Sequence, residues 1–153
     1  MSITNCQISI VGCLLLLFLP LAGKAQAPQC IYDESGRLVS SKHNIYDDRD
    51  RLAVAVVYDY SEKGVVENRQ LISYDAQQRI SKRMIYSADE VLLMEEAFKY
   101  DKWGNLIKRV QYLYDEGKQK IVETRRYRYS KDGKVLHCRY YLDGKLYLEE
   151  DGK

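Results

Sequence analysis

Tyr100-Asp101-Lys102-Trp103-Gly104-Asn105-Leu106 reads as a strand end, a turn and a strand start. Asp at the first turn position and Gly at the fourth are the preferences of a type I turn followed by a left-handed residue, the three-residue hairpin loop with its bulge. With Lys102, Trp103 and Gly104 as the loop, Asp101 faces Asn105 and Tyr100 faces Leu106. The phrase recurs as Tyr32-Asp33-Glu34-Ser35-Gly36-Arg37-Leu38, and Asp143-Gly144 predicts a two-residue hairpin that sets Tyr141 opposite Leu146.

Working outward, the tyrosines that open these phrases are periodic. Tyr32, Tyr46, Tyr60 and Tyr74 are 14 apart, Tyr86 follows by 12, Tyr100 and Tyr114 by 14 each, Tyr129 by 15 and Tyr141 by 12. Self-similarity at a fixed period indicates a repeat architecture. The segments between turns run Leu38 to Tyr46, Leu52 to Tyr60, Val66 to Tyr74, Ile80 to Tyr86, Leu92 to Tyr100, Leu106 to Tyr114, Ile121 to Tyr129 and Val135 to Tyr141, then a stub from Leu146. Each has odd length, which places its first apolar residue and its last Tyr on one face of a strand. The opposite face carries Arg69, Arg83, Glu95, Lys99, Arg109, Gln111, Thr124, Arg126 and Arg128. The expected fold is all-β: one antiparallel meander of about nine strands, open and strongly twisted, with a single apolar, tyrosine-rich face. A closed, barrel-like sheet is the alternative. Asp50, Gln78 and Glu90 replace the turn Gly and the Tyr114 to Ile121 connection is longer, so register is least specified there.

Of 17 aromatic residues 14 are Tyr, with two Phe and one Trp, so the ring chosen is nearly always one with a hydroxyl. Polar residues sit mid-strand beside these tyrosines, among them Lys42, Asn68, Gln70, Lys82, Glu96, Lys108 and Arg125. No thick, dry core covers such a face, and Tyr suits a thin one because its ring pairs across strands while its hydroxyl stays wet. With 24 basic and 22 acidic residues the net charge is +2, which gives no single-sign field for nucleic acid or acidic lipid. A length of 153 residues fits one domain.

From Ile8 to Leu21 the chain is apolar apart from Ser9, Gly12 and Pro20, and it passes through Gly23-Lys24 into Ala25-Gln26-Ala27. This pattern predicts a signal peptide over residues 1–25, a single repeat domain over 26–153, export to the periplasm, cell surface or exterior, and no membrane span after cleavage. Cys6 and Cys13 leave with the signal. Export permits a disulfide between Cys30 and Cys138. In an open meander, however, about seven inter-strand steps separate them by roughly 34 Å, against the limit of about 7 Å between bridged Cα atoms. Free thiols fit the open sheet, an intrachain bond a closed one, and an interchain bond a covalent dimer.

Arg126-Tyr127-Arg128-Tyr129-Ser130-Lys131-Asp132-Gly133-Lys134-Val135 resembles the YD (RHS-type) repeat phrase Arg-Tyr-x-Tyr-Asp-x-x-Gly-Arg-Leu, and the likeness recurs from Tyr32 to Leu148. The chain also looks like short secreted proteins of unknown function from Bacteroides-type bacteria. The resemblance implies an extracytoplasmic β-strand repeat array, of a kind sometimes linked to carbohydrate binding or to shells around toxins. The period near 14 and Ser130 in place of Asp depart from the pattern of long YD arrays.

Residues for chemistry are few. His43 and His137 fall mid-strand without a neighbouring ligand set, and Asp33, Asp47, Asp75, Asp101 and Asp115 recur at turn positions, where they act as turn formers. No phosphate loop or nucleophile motif occurs, and the expectation is a protein that is not an enzyme and uses no cofactor or metal. Two roles remain. One is a binding module in which Tyr58, Tyr60, Tyr74, Tyr100, Tyr112, Tyr114, Tyr127 and Tyr129 stack against an extracellular glycan or a protein. The other is a structural protein that self-associates through open sheet edges.

Overall fold

A computed structural model describes residues 26–152; the signal peptide expected over residues 1–25 lies outside them. The described chain is all-β, with ten strands and no helix among the described residues: β1 (Gln29–Tyr32), β2 (Leu38–Tyr46), β3 (Leu52–Tyr60), β4 (Val66–Tyr74), β5 (Ile80–Ser87), β6 (Leu92–Tyr100), β7 (Leu106–Asp115), β8 (Lys118–Tyr129), β9 (Val135–Leu142) and β10 (Lys145–Asp151). Their order in the sheet is their order in the chain, an antiparallel meander that is not closed into a barrel. The expected stub after Asp143-Gly144 is a full strand, and β1 adds a tenth ahead of the first repeat turn. The described chain divides into two compact units, one ending at Arg79 with β1 to β4 and one beginning at Ile80 with β5 to β10.

The seven repeat turns share one backbone form. In each, the amide of the first turn residue donates to the carbonyl of the residue four further on, and the fourth turn residue donates back to the first: Asp101 N to Asn105 O at 3.0 Å and Gly104 N to Asp101 O at 3.2 Å, for example. The fourth residue is left-handed at Gly36, Gly64, Gly104 and Gly133, and equally at Asp50, Gln78 and Glu90, with φ of 56°, 62° and 60°. The Gly-less turns therefore keep the repeat geometry, and the side chain absorbs the strain that Gly avoids. The connection expected to be long between Tyr114 and Ile121 is instead a two-residue turn at Glu116-Gly117, with β7 and β8 extended to meet it.

Register overturns the single tyrosine face. Tyr46 lies opposite Leu52, but Ile45 lies opposite Val54, so Ala53 is an extra residue in the ladder. The same slip leaves out Val39, Glu67, Leu93, Ile107 and Leu136 just after the other turns of this type. A one-residue slip moves every following side chain to the other face, so segments of odd length do not present their tyrosines together. In the first unit, Tyr46 and Tyr74 share a face with Asn44, Ala55 and Ile72, while Tyr58 and Tyr60 share the other with Ser41, His43 and Val56.

In the second unit, one face carries Arg83, Glu96, Phe98, Tyr100, Arg109, Gln111, Arg125, Tyr127, Tyr129 and Tyr140, and the other carries Lys82, Glu95, Tyr86, Tyr112, Tyr114, Arg126 and Tyr141. Glu96, expected on the face opposite Arg83 and Arg109, is on their face. Within each unit strands touch their sheet neighbours, and among the described residues no second layer packs on them. The buried residues are accordingly scattered: Cys30, Ser41, Asn44, Ala55 and Val56 in the first unit, Glu96 and Cys138 in the second.

Candidate functional site

Three constructions recur on this sheet, and each begins with local sequence. The first is the turn lock. Asp33 Oδ1 accepts from Ser35 N at 2.9 Å and Arg37 N at 3.0 Å, while Oδ2 takes Arg37 Nε at 2.9 Å. Asp47 with Arg51, and Asp75 with Arg79, repeat it, and Asp101 does the same with Asn105. The Ser35 hydroxyl and the Arg37 amide hold the Asp33 carboxyl down at about 2. Asp47 is lowered by the Arg51 amide and guanidinium, and Asp75 by the Arg79 guanidinium. For Asp101 desolvation pushes upward and is outweighed by Asn105 and the turn amides. These carboxylates are turn formers, as their positions in the repeat indicated.

The second construction is the tyrosine brace. Tyr100 OH donates to Ile80 O and Tyr129 OH to Leu106 O, each at 2.9 Å, so a ring at one strand's end caps a carbonyl at the start of the strand before it. Tyr60 OH and Ser41 Oγ are 3.1 Å apart, and Tyr46 OH donates to Gln26 Oε1 at 2.9 Å. Desolvation raises the phenols of Tyr74 and Tyr129 above their ordinary value. All eight candidate tyrosines, Tyr58, Tyr60, Tyr74, Tyr100, Tyr112, Tyr114, Tyr127 and Tyr129, are half-buried. The register brings Tyr58 and Tyr60 together apart from Tyr74, and Tyr100, Tyr127 and Tyr129 together apart from Tyr112 and Tyr114.

The third is a polar ladder that sequence reading missed. Glu96 on β6 is fully buried and accepts Arg83 Nε of β5 at 2.5 Å through Oε2 and Arg109 Nε of β7 at 2.7 Å through Oε1. Arg109 also donates to Gln111 Oε1 at 2.8 Å. On β8, Arg125 Nε donates to Glu123 Oε1 at 2.5 Å, and the Arg125 guanidinium carbon lies 5.1 Å from the centroid of the Tyr140 ring of β9, whose hydroxyl donates to Glu150 Oε2 of β10 at 3.0 Å. Bonding to Cys138, then to Glu150, pushes the Tyr140 phenol up. Sequence reading missed it because the slip after each turn, which puts residues of opposite parity on one face, belongs to the pairing of the strands and not to their spacing.

The histidines serve separate neighbours. His43 meets Tyr58 edge-on with centroids 5.8 Å apart, and burial lowers its pKa. His137 Nδ1 is 2.9 Å from Asp151 Oδ1, with Glu149 at its other nitrogen. Cys30 in β1 and Cys138 in β9 are both buried, and no disulfide joins them among the described residues.

The least covered element is β10. All seven of its residues are exposed, including Leu146 at 50%, Tyr147 at 57% and Leu148 at 41%. Its carboxylates lean inward on β9: Glu149 accepts Arg139 Nε at 3.1 Å, which lowers the Glu149 carboxyl, and Glu150 accepts the Tyr140 hydroxyl.

No family model matches the chain, and no curated protein matches it. Among solved structures it is similar to the Tc holotoxin pore of Photorhabdus luminescens carrying a mutated TccC3, at 14% identity with a TM-score of 0.30, over 81% of this chain and 9% of that one. Complexes of TcdB2-TccC3-TEV and TcdB2-TccC3-Cdc42 are similar at 14% identity and TM-scores of 0.28 and 0.25, each over 78% of this chain and 9% of theirs. The chain thus spans about a tenth of those proteins, and at these scores the likeness decides nothing about its role.

Proposed function

We propose that the chain is an exported, non-enzymatic β-repeat protein that works by association, with its open sheet edge accepting a strand from another copy of the chain. The observation that carries this reading is β10, an edge strand exposed over its whole length with Leu146, Tyr147 and Leu148 uncovered. An unpaired edge presents a row of backbone donors and acceptors, and uncovered apolar side chains beside it add contact area to any strand that pairs there. The tyrosines support the glycan-stacking role less well. They divide between two faces, and the hydroxyls of Tyr60, Tyr100 and Tyr129 are engaged inside the sheet. Light scattering of the exported protein across a micromolar concentration series tests the reading. The weight-average mass is expected to rise with concentration; a constant monomer mass overturns it.

A further inference from the structure

We propose that the end of the second unit formed by the β6–β7 and β8–β9 turns docks on a membrane surface rich in anionic phospholipid. A row of like charges is the first observation. Lys99 of β6 lies opposite Lys108 of β7, Lys108 opposite Arg126 of β8, and Arg126 opposite Arg139 of β9. Neighbouring strands are ~4.8 Å apart, and like charges directly opposite one another destabilise a sheet. Arg139 is neutralised by Glu149, but no ion pair among the described residues joins Lys99, Lys108 or Arg126 to a carboxylate. The Arg126 guanidinium carbon lies 5.1 Å from the centroid of the Tyr141 ring instead. The row therefore costs stability in the isolated fold, and a negative surface laid against it turns repulsion into attraction.

The turns beside the row are the second observation. Antiparallel order puts the turns after β6 and β8 at one end of the unit, two strand steps or ~10 Å apart. One offers Lys102 and Trp103, the other Lys131 and Lys134, all exposed. Trp103 is the sole Trp of the chain and, at 74%, the most exposed large apolar side chain among the described residues. Lys102 Nζ is 4.5 Å from its ring centroid. The acids of these turns are engaged locally, Asp101 by the amides of Trp103 and Asn105, and Asp132 by Lys134 at 3.7 Å. The net charge of +2 conceals this end, because the turns at the opposite end carry Asp89, Glu90, Asp115, Glu116 and Asp143 against Lys118 and Lys145. A lipid headgroup layer takes an indole at its apolar boundary and ammonium groups at its phosphates. A soluble polyanion accounts for the row, whereas a lipid surface accounts for the row and for the indole at a hairpin tip.

The sole Trp makes the test direct. The exported chain is titrated with vesicles of phosphatidylcholine alone and of equal parts phosphatidylcholine and phosphatidylglycerol, read by Trp103 emission and by sedimentation with the vesicles. Binding with blue-shifted emission is expected for the mixed vesicles, weakening as salt is raised, and none for phosphatidylcholine alone. Lys99→Gln combined with Lys108→Gln is expected to weaken binding about tenfold or more. Its denaturant midpoint should hold or rise, since a repulsive cross-strand pair is gone. Trp103→Ala, at an exposed hairpin tip, is expected to weaken sedimentation with the vesicles at unchanged charge. Lys118→Gln combined with Lys145→Gln, at the opposite end, should bind as the unchanged protein does. Failure to bind the mixed vesicles overturns the proposal, and so does binding that survives both the paired lysine change and Trp103→Ala. Binding to soluble polyuronate or single-stranded DNA without binding to vesicles also overturns it, and assigns the row to a soluble polyanion. None of these changes touches the β9–β10 contacts of Glu149 and Glu150, so the concentration series that tests edge pairing is read separately.

Discussion

At the residue scale, the turn carboxylates show how a short motif becomes a structural rule. Asp33 receives the Ser35 hydroxyl, two backbone amides and the Arg37 guanidinium, all of which favour its charged form. Its pKa is lowered from 3.8 to about 2, so the unfolded chain binds more protons than the folded one between those values. The stability this group contributes is present above pH 3.8 and is lost as pH falls through about 2. Asp47, Asp75 and Asp101 shift in the same direction and add to the same acid limb. Replacing Asp33 with Asn is expected to lower the urea midpoint at neutral pH, with the deficit shrinking toward zero as the acid series is descended. A deficit that stays constant with pH would show that the carboxylate's charge contributes nothing to the turn. These locks were legible from Asp at the turn entrance. The left-handed backbone of Gln78 and Glu90 was not, because it follows from the neighbouring strands holding the loop at a length that Gly otherwise marks.

At the element scale, strand boundaries and antiparallel order were readable from tyrosine spacing and turn chemistry. The distribution of side chains between faces was not. Odd segment length fixes parity within a strand, yet the extra residue after each three-residue loop changes parity between strands, and nothing in the spacing announces where that residue is absorbed. Glu96 shows the consequence, since the slip at Leu93 brings it between Arg83 and Arg109. Glu96 is fully buried, while the two Arg side chains are 34% and 24% exposed and can turn partly to water once released. Glu96→Ala is therefore expected to cost about 2 kcal/mol in chemical denaturation, below the 3 to 5 kcal/mol of a fully enclosed pair. Arg83→Met in the Glu96→Ala background should then cost much less than in the unchanged protein. Additive losses would mean that the two side chains do not act as a pair.

At the scale of the whole molecule, the absence of a packed second layer in either unit places stability in cross-strand contacts rather than in a core. Few side chains are fully buried, and of those Ser41, Asn44 and Glu96 are polar or charged. Exposure of apolar surface raises the heat capacity of unfolding and exposure of polar surface lowers it. A chain whose strands are half-covered on both faces, and whose most buried groups are polar, releases less apolar surface than an ordinary domain of its length. Its calorimetric heat capacity change is therefore expected to fall below the usual range of about 12 to 15 cal/mol/K per residue. The measurement belongs at the lowest workable concentration, where edge pairing is minimal. If copies pair at this edge as proposed, the per-residue value should then rise with concentration, because pairing would cover Leu146, Tyr147 and Leu148 before the transition. An ordinary value in dilute solution would mean that apolar surface exposed in the isolated sheet is covered in the protein as it exists, and so that the sheet is not the complete folded unit.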